Sequence, residues 1–452
     1  MIDAWDIAAK VRSRALRAAD VVDEALARAR ADTCNAFTVV TGDLAREQAA
    51  AVDAGTRGGP LAGVPVTVKD HVWLAGQPAT NGSRALADFV PSRSAACVQR
   101  LLDAGAVVIG KTNNPEFCYR GTTDNALFGA TGNPRAPSRT AGGSSGGAAA
   151  SVAAGIVPIA VGTDGGGSIR IPSAFCGVYG LKPSFGLVPK MPGFRGWPTL
   201  SVTGPLAASV RDLALALSVM AGPDAADWLS FPGPLPGAYV EAVGHPRWDG
   251  LRVAVSEDFG FATLDPDVRT AFRAAVSAAA GSGAEIVDAA PPSRDPLPLW
   301  DAIALPEGYA SEGPLVEDRR ELVGDDAAAI TLAGRDGSGR AYLDAQAARS
   351  AYAEQWARFF DDVDVLLAPA MPTTAFPLGR IGPATIDGKP VPDGFDAWCA
   401  LALPANLAGL PAACVPIGTG RDGLPVAAQI IGARWTDAAV LRAAELLDRA
   451  LR

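Results

Sequence analysis

Apolar residues recur every three or four positions near the start of the chain. Between Ala4 and Arg30, alanine, leucine and valine are separated by arginine and aspartate at this spacing, which predicts an amphipathic helix or a pair of helices. A different pattern occupies 64–69, where the run VPVTVK is almost entirely apolar and follows the glycine-rich GGPLAG. A short apolar run bounded by glycines predicts a buried strand, and this one ends at Lys69.

The two patterns alternate along the rest of the chain. Short apolar runs predict strands at 35–41, 106–109, 156–161, 251–255, 284–287, 363–368, 412–416 and 426–431. Helical periodicity predicts helices at 43–54, 94–104, 148–154, 265–282 and 342–361, a helix that begins at Ser209 and ends at Gly222, and a last helix from Asp437. This alternation predicts an α/β fold. Residues 308–339 are polar and poorly patterned, and we expect variable surface structure there, near the substrate entrance.

Composition narrows the class of protein. The 452 residues are 49% hydrophobic and 19% charged, which indicates a compact globular protein built as one large domain with insertions or as two domains. The net charge of −9 and the lack of a basic cluster argue against a nucleic-acid partner. The charged N-terminus is unlike a signal peptide, and no apolar run is long enough for a membrane span. Six scattered cysteines favour reduced thiols in a cytoplasmic protein over disulfides or a zinc site.

Two glycine-rich motifs carry the candidate chemistry. AGGSSGG contains Ser144 and Ser145, and TDGGGSIR contains Ser168. Glycines around a hydroxyl let a substrate approach main-chain N–H groups, so Ser168 is a candidate nucleophile. The amides of this loop are candidate donors to the oxyanion that forms when a serine attacks an amide; they belong to Gly165, Gly166, Gly167 and Ser168. Asp164 and Arg170 flank the loop, and we expect them to brace it as a charge pair.

A serine nucleophile needs a base to accept its proton. A triad of serine, histidine and aspartate needs a histidine as its base. The chain has only two histidines, His71 and His245, which makes such a triad a weak candidate. Lysine serves as a base when it is neutral, which requires its pKa to fall several units from ~10.4. Burial in the predicted strand VPVTVK would lower the pKa of Lys69. Lys69 is therefore the candidate base, and either Ser144 or Ser145 is placed to bridge it to Ser168.

Two further motifs offer rival interpretations. The segment from Gly105 to Thr112 fits the nucleotide-binding pattern G-x-x-x-x-G-K-T, but its spacers AVVI predict a strand rather than a phosphate loop. The triplet of alternate residues Gly142, Ser144 and Gly146 matches the nucleophile elbow of α/β-hydrolases, which predicts an esterase with Ser144 as nucleophile and His245 as base. That interpretation leaves the Ser168 segment unexplained.

Together, GGSSGG, the segment DGGGSIRIP and the lysine of VKD resemble the amidase signature family of serine amidohydrolases. The likeness covers about 61–222, with a weaker echo at PANLAGLP. The resemblance implies that Ser168 is the nucleophile, Ser144 the cis-serine that relays its proton, and Lys69 the base, with Ser145 in support. It also implies hydrolysis of a small-molecule carboxamide, a linear one first of all, through a Ser168 acyl-enzyme that needs no metal or organic cofactor.

The resemblance further implies an architecture, a pocket and an assembly. A central twisted mixed β-sheet covered by α-helices is expected to form one amidase domain over 1–452, with an N-terminal helical part (1–60), a signature core (61–222) and a variable insertion and C-terminal part that completes the sheet (223–452). Cys118, Asn125 and Trp197 are expected to line the substrate pocket, and a homodimer is the expected assembly. The rival within the family is the catalytic subunit of a glutamine-dependent, tRNA-linked amidotransferase, although NNPEF at 113–117 is more similar to stand-alone amidases.

Overall fold

The structure is a computed structural model that describes residues 3–235, 237–391 and 398–452. Its strands are β1 (Phe37–Val40), β2 (Pro65–Lys69), β3 (Val107–Thr112), β4 (Gly132–Asn133), β5 (Ala136–Thr140), β6 (Ile159–Asp164), β7 (Tyr179–Lys182), β8 (Val202–Ala207), β9 (Arg252–Val255), β10 (Glu285–Val287), β11 (Val365–Pro369), β12 (Thr385–Ile386), β13 (Lys389–Pro390), β14 (Ala412–Thr419) and β15 (Pro425–Gly432).

The helices cover the sheet and are distributed along the whole chain. They are α1 (Ala4–Arg12), α2 (Ala18–Arg30), α3 (Gly42–Asp53), α4 (Ala96–Asp103), α5 (Gly146–Ala153), α6 (Arg170–Cys176), α7 (Val210–Met220), α8 (Gly237–Gly244), α9 (Pro266–Gly281), α10 (Leu297–Asp318), α11 (Asp325–Ala333), α12 (Gly339–Phe359), α13 (Leu403–Leu407) and α14 (Asp437–Leu451). None of the helices in the described ranges is both long and apolar enough to cross a membrane.

Eleven of the described strands form one mixed sheet in the order β1-β3-β2-β6-β8-β7-β14-β15-β11-β9-β10. In its centre, β2 pairs in parallel with β3 and β6, whereas β6 pairs antiparallel with β8. Every residue of these four strands is buried, as expected where helices cover both faces of a sheet. The predicted α/β fold with a central mixed sheet is confirmed.

The carboxyl ends of β2 and β6 place the candidate site. Because the two strands are parallel neighbours, their last residues, Lys69 and Asp164, lie at the same edge of the sheet. The loop with Ser168 follows β6 directly and leads into α6, while α5 begins just after Ser145 and packs against β2, β6 and α6. The topology therefore brings both glycine-rich motifs to the end of the strand that carries Lys69.

Most of the segment 308–339 is helical, because it belongs to α10 and α11, and the poorly patterned sequence does not predict these helices. Pro306 and Pro314 lie inside α10, and each removes an intrahelical hydrogen bond, so the local sequence does not resemble a helix. Packing against α11, α12 and α13 supplies the stabilisation that local propensity lacks. α10 buries Gly308 and Glu312, which are therefore part of the protein interior.

Around the site, the sequence predicts the strand β3 correctly and misses three other elements. The sequence pattern does not predict α6, β7 or β8, since proline interrupts α6, glycine interrupts β7 and both interrupt β8. In contrast, the segment that fits the nucleotide-binding pattern is a strand as predicted. Lys111 and Thr112 end β3 and are fully buried, so no phosphate loop exists at this place.

The start of α7 provides a test of local sequence effects on stability. Ser209 caps the helix by accepting a hydrogen bond from the Asp212 N–H at 3.1 Å. Ser209→Ala is expected to lower the free energy of unfolding by about 1 kcal/mol in urea denaturation. Ser218→Ala on the same helix is the control, because its hydroxyl bonds to the Leu215 carbonyl within the helix; equal losses for the two variants would contradict the role of the cap.

Candidate active site

Lys69 is fully buried among hydroxyl groups at the end of β2. Its Nζ lies 2.7 Å from Ser144 Oγ, 2.8 Å from Thr163 Oγ1 and 3.1 Å from Ser145 Oγ. Burial lowers the pKa of Lys69, since a low dielectric disfavours the charged form. Thr163 is a partner that the sequence motifs do not single out, although it immediately precedes Asp164 in the second motif.

Ser144 follows a cis peptide bond with Gly143. A Cβ atom on Gly143 would lie 2.3 Å from the carbonyl oxygen of Thr122, so this position accepts only glycine. Ser144 itself is 1% exposed, and its hydroxyl makes the shortest of the three contacts with Lys69. The close approach of the 122 backbone therefore explains one glycine of the GGSSGG motif.

Ser145 has other hydrogen-bond partners than Lys69. Its Oγ accepts from the Thr163 N–H at 3.2 Å and donates to the Thr163 carbonyl at 3.2 Å. Its backbone N–H donates to the carbonyl oxygen of Ser168 at 3.2 Å. Ser145 thus ties the GGSSGG motif to β6 and to the Ser168 loop, and of the two serines it is Ser144 whose hydroxyl is not engaged by the backbone of β6.

Ser168 lies in the loop between β6 and α6 and is 3% exposed. The backbone N–H of Gly167 donates to Asp164 Oδ1 at 2.8 Å, so this predicted oxyanion donor is already occupied. The N–H groups of Gly165, Gly166 and Ser168 donate to no other residue that the structure describes. Three of the four predicted donors are therefore available to a substrate.

Asp164 and Arg170 form a completely buried ion pair behind this loop. Two guanidinium nitrogens, Nε and Nη2, each donate to one carboxylate oxygen at 3.0 Å. Burial would raise the pKa of Asp164, but the Arg170 charge and hydrogen bonds outweigh it, and the pKa lies well below its usual range. The carboxylate also accepts from the Gly167 and Ile169 N–H groups, so the pair shapes the loop that presents Ser168.

Two amides from the C-terminal part of the chain complete this pair. Asn406, in α13, accepts from Arg170 Nη2 at 2.6 Å and donates to Asp164 Oδ1 at 2.9 Å. Gln429, in β15, accepts from Arg170 Nη1 at 2.9 Å. The sequence motifs assign no role to either residue. The echo PANLAGLP contains Asn406 and is the one sequence signal that points to it.

An apolar cavity of about 410 Å³ opens beside the glycine loop. Trp197 and Trp300 form its inner wall, with their rings edge to face at 4.9 Å. Trp300 Nε1 donates to the Gly165 carbonyl at 3.2 Å, and a Cβ on Gly165 would lie 2.6 Å from the Trp197 indole. The other lining residues are Tyr119, Arg120, Ala304, Leu305, Gly308, Asp326, Ala329, Ile330, Ala333 and Ile381. Segment 308–339 thus does contribute to the cavity.

Cys118 lies near the lysine but does not line this cavity. Burial raises the pKa of the Cys118 thiol, although the neighbouring Lys69 and Ser144 side chains oppose this effect. Its Sγ is 3.6 Å from Asn81 Oδ1. A thiol with a raised pKa is a poor nucleophile. Cys118 therefore forms part of the environment of Lys69 and is not a second nucleophile.

The side chain of Asn125, the third predicted pocket residue, makes all its hydrogen bonds to nearby residues of the protein. Its Nδ2 donates to Asn113 Oδ1 and to the Asn114 carbonyl, each at 2.7 Å, and its Oδ1 accepts from the N–H groups of Leu127 and Phe128. Asn125 lines a second, polar cavity next to the apolar one. Its amide therefore fixes the loop and has no free hydrogen bond to offer a substrate in that cavity.

The two histidines are not placed as a base for either serine. His71 bonds to Asn81 Oδ1 at 2.9 Å, and burial lowers its pKa to about 4. His245 is exposed just after α8 and has no hydrogen bond to Ser144 in the described part of the chain. Within the described residues there is also no group of three or more histidine, cysteine or acidic side chains able to hold a metal ion.

Comparison with known proteins identifies the family. The sequence model of the family Amidase matches residues 20–441. An acylamidase of Rhodococcus erythropolis is 38% identical, and the match covers 98% of this chain and 94% of that protein. The chain belongs to the amidase family.

Two further amidase-family relatives widen the comparison. The crystal structure of a bacterial aryl acylamidase of the amidase signature family superposes with a TM-score of 0.91, at 32% identity over 99% of this chain and 96% of that one. One subunit of the glutamyl-tRNA(Gln) amidotransferase of Chloroflexus aurantiacus is 36% identical over 96% of this chain and 93% of that protein. The predicted family and the predicted class of reaction, hydrolysis of a carboxamide C–N bond, are confirmed.

The buried ion pair makes a prediction for stability. Arg170→Met leaves the Asp164 carboxylate buried without its partner, and we expect the free energy of unfolding to fall by about 3–5 kcal/mol in denaturant titration. Arg340→Met is the control, because its pair with Asp344 is 87% and 66% exposed and such pairs contribute about 1 kcal/mol or less. A loss at Arg170 no larger than that at Arg340 would contradict the structural role of the pair.

Proposed function

We propose that the chain hydrolyses amides with Ser168 as nucleophile, Ser144 as proton relay and Lys69 as base. The observation that carries this assignment is the surroundings of Lys69, whose Nζ donates to three hydroxyls within 3.1 Å. A neutral lysine amine in that place has a proton donor 2.7 Å away in Ser144. Ser145 is assigned a supporting role, because its hydroxyl already exchanges hydrogen bonds with β6.

In the proposed acylation step, Ser168 Oγ attacks the carbonyl carbon of the amide. Its proton passes to Ser144 Oγ while the proton of Ser144 passes to the Lys69 amine. The tetrahedral intermediate collapses, the C–N bond breaks, and the leaving amine takes a proton back through Ser144 from Lys69. Water then attacks the acyl-enzyme ester with the same relay as its base, which releases the acid and restores the hydroxyl of Ser168.

The oxyanion of the intermediate is assigned to the backbone amides of Gly165, Gly166 and Ser168. Gly167 is left out, although the sequence predicts it, because its N–H is held by Asp164. The loss of one such donor typically costs about 10²–10³ in rate. Asp164 and Arg170 thus act by shaping the loop and do not take part in proton transfer.

The substrate is proposed to be a small, linear amide with an apolar group. Support comes from the apolar cavity, whose inner wall of Trp197 and Trp300 touches the glycine loop, and from the acylamidase names of two relatives. Cys118 and Asn125, by contrast, are assigned to the surroundings of the site and not to the substrate-binding wall. The 36% identity to an amidotransferase component supports the alternative, in which glutamine is the amide and ammonia is transferred.

Three broader features also belong to the proposal. A single domain over 1–452 is supported by the eleven-stranded sheet, which includes both β1 and β15. A cytoplasmic location is supported by the six cysteines scattered along the sequence, a pattern that favours reduced thiols. A homodimer follows from the family resemblance alone, and light scattering of the purified protein tests it.

Covalent labelling tests the assignment of the nucleophile. The intact mass of the protein after reaction with a fluorophosphonate probe is expected to show one label in the wild type and none in Ser168→Ala. Ser144→Ala and Lys69→Met are expected to slow labelling by about 10²–10⁴, and Ser145→Ala by less. His245→Ala is the control and should label as the wild type does; labelling that survives Ser168→Ala and depends on His245 would replace the proposal by the esterase alternative.

The pH dependence tests the assignment of the base. Burial lowers the pKa of Lys69, so the rate of hydrolysis should rise with pH as Lys69 loses its proton and should level off below the ordinary lysine pKa of ~10.4. Lys69→Met should remove this rise. Lys111→Met is the matched control, since Lys111 is also buried but donates to the Asp70 and Pro78 carbonyls; an unchanged profile in Lys69→Met would exclude Lys69 as the base.

A further inference from the structure

A second cavity, of about 450 Å³, adjoins the apolar one and differs from it in chemical character. The two cavities share a wall, here called the partition, whose members are Tyr119, Arg120, Asp326 and Ile330. On the far side of the partition, the carboxylates of Glu116, Asp124 and Asp325 line the second cavity. A molecule in the site therefore has an apolar and an acidic compartment beside it, separated in part by the phenol ring of Tyr119.

Tyr119 is held in the partition from two sides. Its ring stacks on Trp197 with centroids 5.3 Å apart and an interplanar angle of 19°. Its hydroxyl donates a hydrogen bond to Oε2 of Glu312, a carboxylate on α10 that is 6% exposed. Gly308 leaves room for this hydroxyl, since a Cβ there would lie 2.9 Å from it. Burial raises the pKa of Tyr119 well above its usual value, so the phenol remains the donor.

We propose that Glu312 is a positioning residue that fixes Tyr119 in the partition and thereby selects amides with an aromatic group for the apolar cavity. The inference rests on the proposed function, because it takes the apolar cavity as the substrate pocket. Glu312 lines neither cavity and acts through Tyr119. A ring that is already fixed beside Trp197 loses little further freedom when an aromatic group packs against it, which favours binding.

The charge state of Glu312 gives this selection a dependence on pH. Burial raises the pKa of Glu312 to about 7, although the hydrogen bond from Tyr119 opposes this. The other groups that face it are His71, Cys118 and Arg195. His71 is neutral near pH 7 because its pKa is lowered to about 4, the pKa of the Cys118 thiol is raised, and the Arg195 guanidinium is always charged. Above about pH 7 the ionised carboxylate binds the phenol more strongly, so aromatic selectivity should rise with pH.

Two inactivators that differ by one phenyl ring measure the selection without knowledge of the natural substrate. Phenylmethanesulfonyl fluoride and methanesulfonyl fluoride both label an activated serine. The KI of the methyl probe divided by the KI of the phenyl probe, here called the KI ratio, reports on the aromatic ring alone. In the wild type we expect tighter binding of the phenyl probe, with a ratio that grows as pH rises through about 7. Tyr119→Phe and Glu312→Ala should each reduce the ratio about tenfold with kinact unchanged, and the double variant should lose no more than either single one.

Glu312→Gln separates the charge from the hydrogen bond, because glutamine keeps an acceptor oxygen but does not ionise. It should retain part of the selectivity with a ratio that no longer changes with pH. Tyr342→Phe is the matched control, since it removes a 2.8 Å hydrogen bond to another carboxylate of α10, Glu307, outside both cavities. A KI ratio that is unaffected in Tyr119→Phe, equally reduced in Tyr342→Phe, or still pH-dependent in Glu312→Gln would overturn the inference.

The same experiment distinguishes this inference from the proposed function. If Ser168→Ala is still labelled by both probes, the assignment of the nucleophile fails. If labelling depends on Ser168 but the wild type binds both probes equally, the nucleophile stands and the role of Glu312 and Tyr119 fails.

Discussion

The buried pair of Asp164 and Arg170 is the constraint on which the rest of the site depends. Two opposite charges removed from water are tolerated only where geometry and further hydrogen bonds compensate the lost hydration. Here the compensation comes from the amides of the Ser168 loop and from Asn406 and Gln429. The loop, α13 and β15 must therefore take one arrangement together, since any other leaves a buried charge without a partner.

Lys69 presents the opposite solution to the same problem. It is as deeply buried as Arg170, yet its neighbours are hydroxyls and the Cys118 thiol, so the removal from water is compensated by a lowered pKa instead of by a paired counter-charge. Asp164 is close enough to raise the pKa of Lys69, but its carboxylate is already paired with Arg170. The ion pair thus also limits how far the Asp164 carboxylate can stabilise the charged lysine.

Sequence patterns predict the parts of the site that depend on local chemistry. Glycine around Ser144 and Ser168, and a lysine at the end of an apolar strand, are visible in the chain because close backbone approach and burial restrict those positions to a few residue types. Most of the central sheet is predictable for the same reason, since its strands other than β7 and β8 are short apolar runs. Ser209 likewise marks the start of α7 through its capping hydrogen bond.

The features that the sequence does not predict depend on contacts between distant segments of the chain. α10 contains two interior prolines, and only its packing against other helices explains why it is helical. Glu312 has no motif, and its bond to Tyr119 joins residues far apart in the chain. Gly167 shows the converse error, since its glycine-rich surroundings predict a donor to the substrate but its amide is used by Asp164, three residues earlier.

The position of Gln429 has a consequence for biosynthesis. The Arg170 guanidinium contacts an amide 259 residues further along the chain, on a strand that lies in the middle of the sheet between β14 and β11. A ribosome-bound chain that already contains all of Lys69, Ser144 and Ser168 still lacks this strand. The proposed hydrolytic centre is therefore complete only after β15 has been synthesised, and a fragment released earlier carries these three side chains without the strand that contacts Arg170.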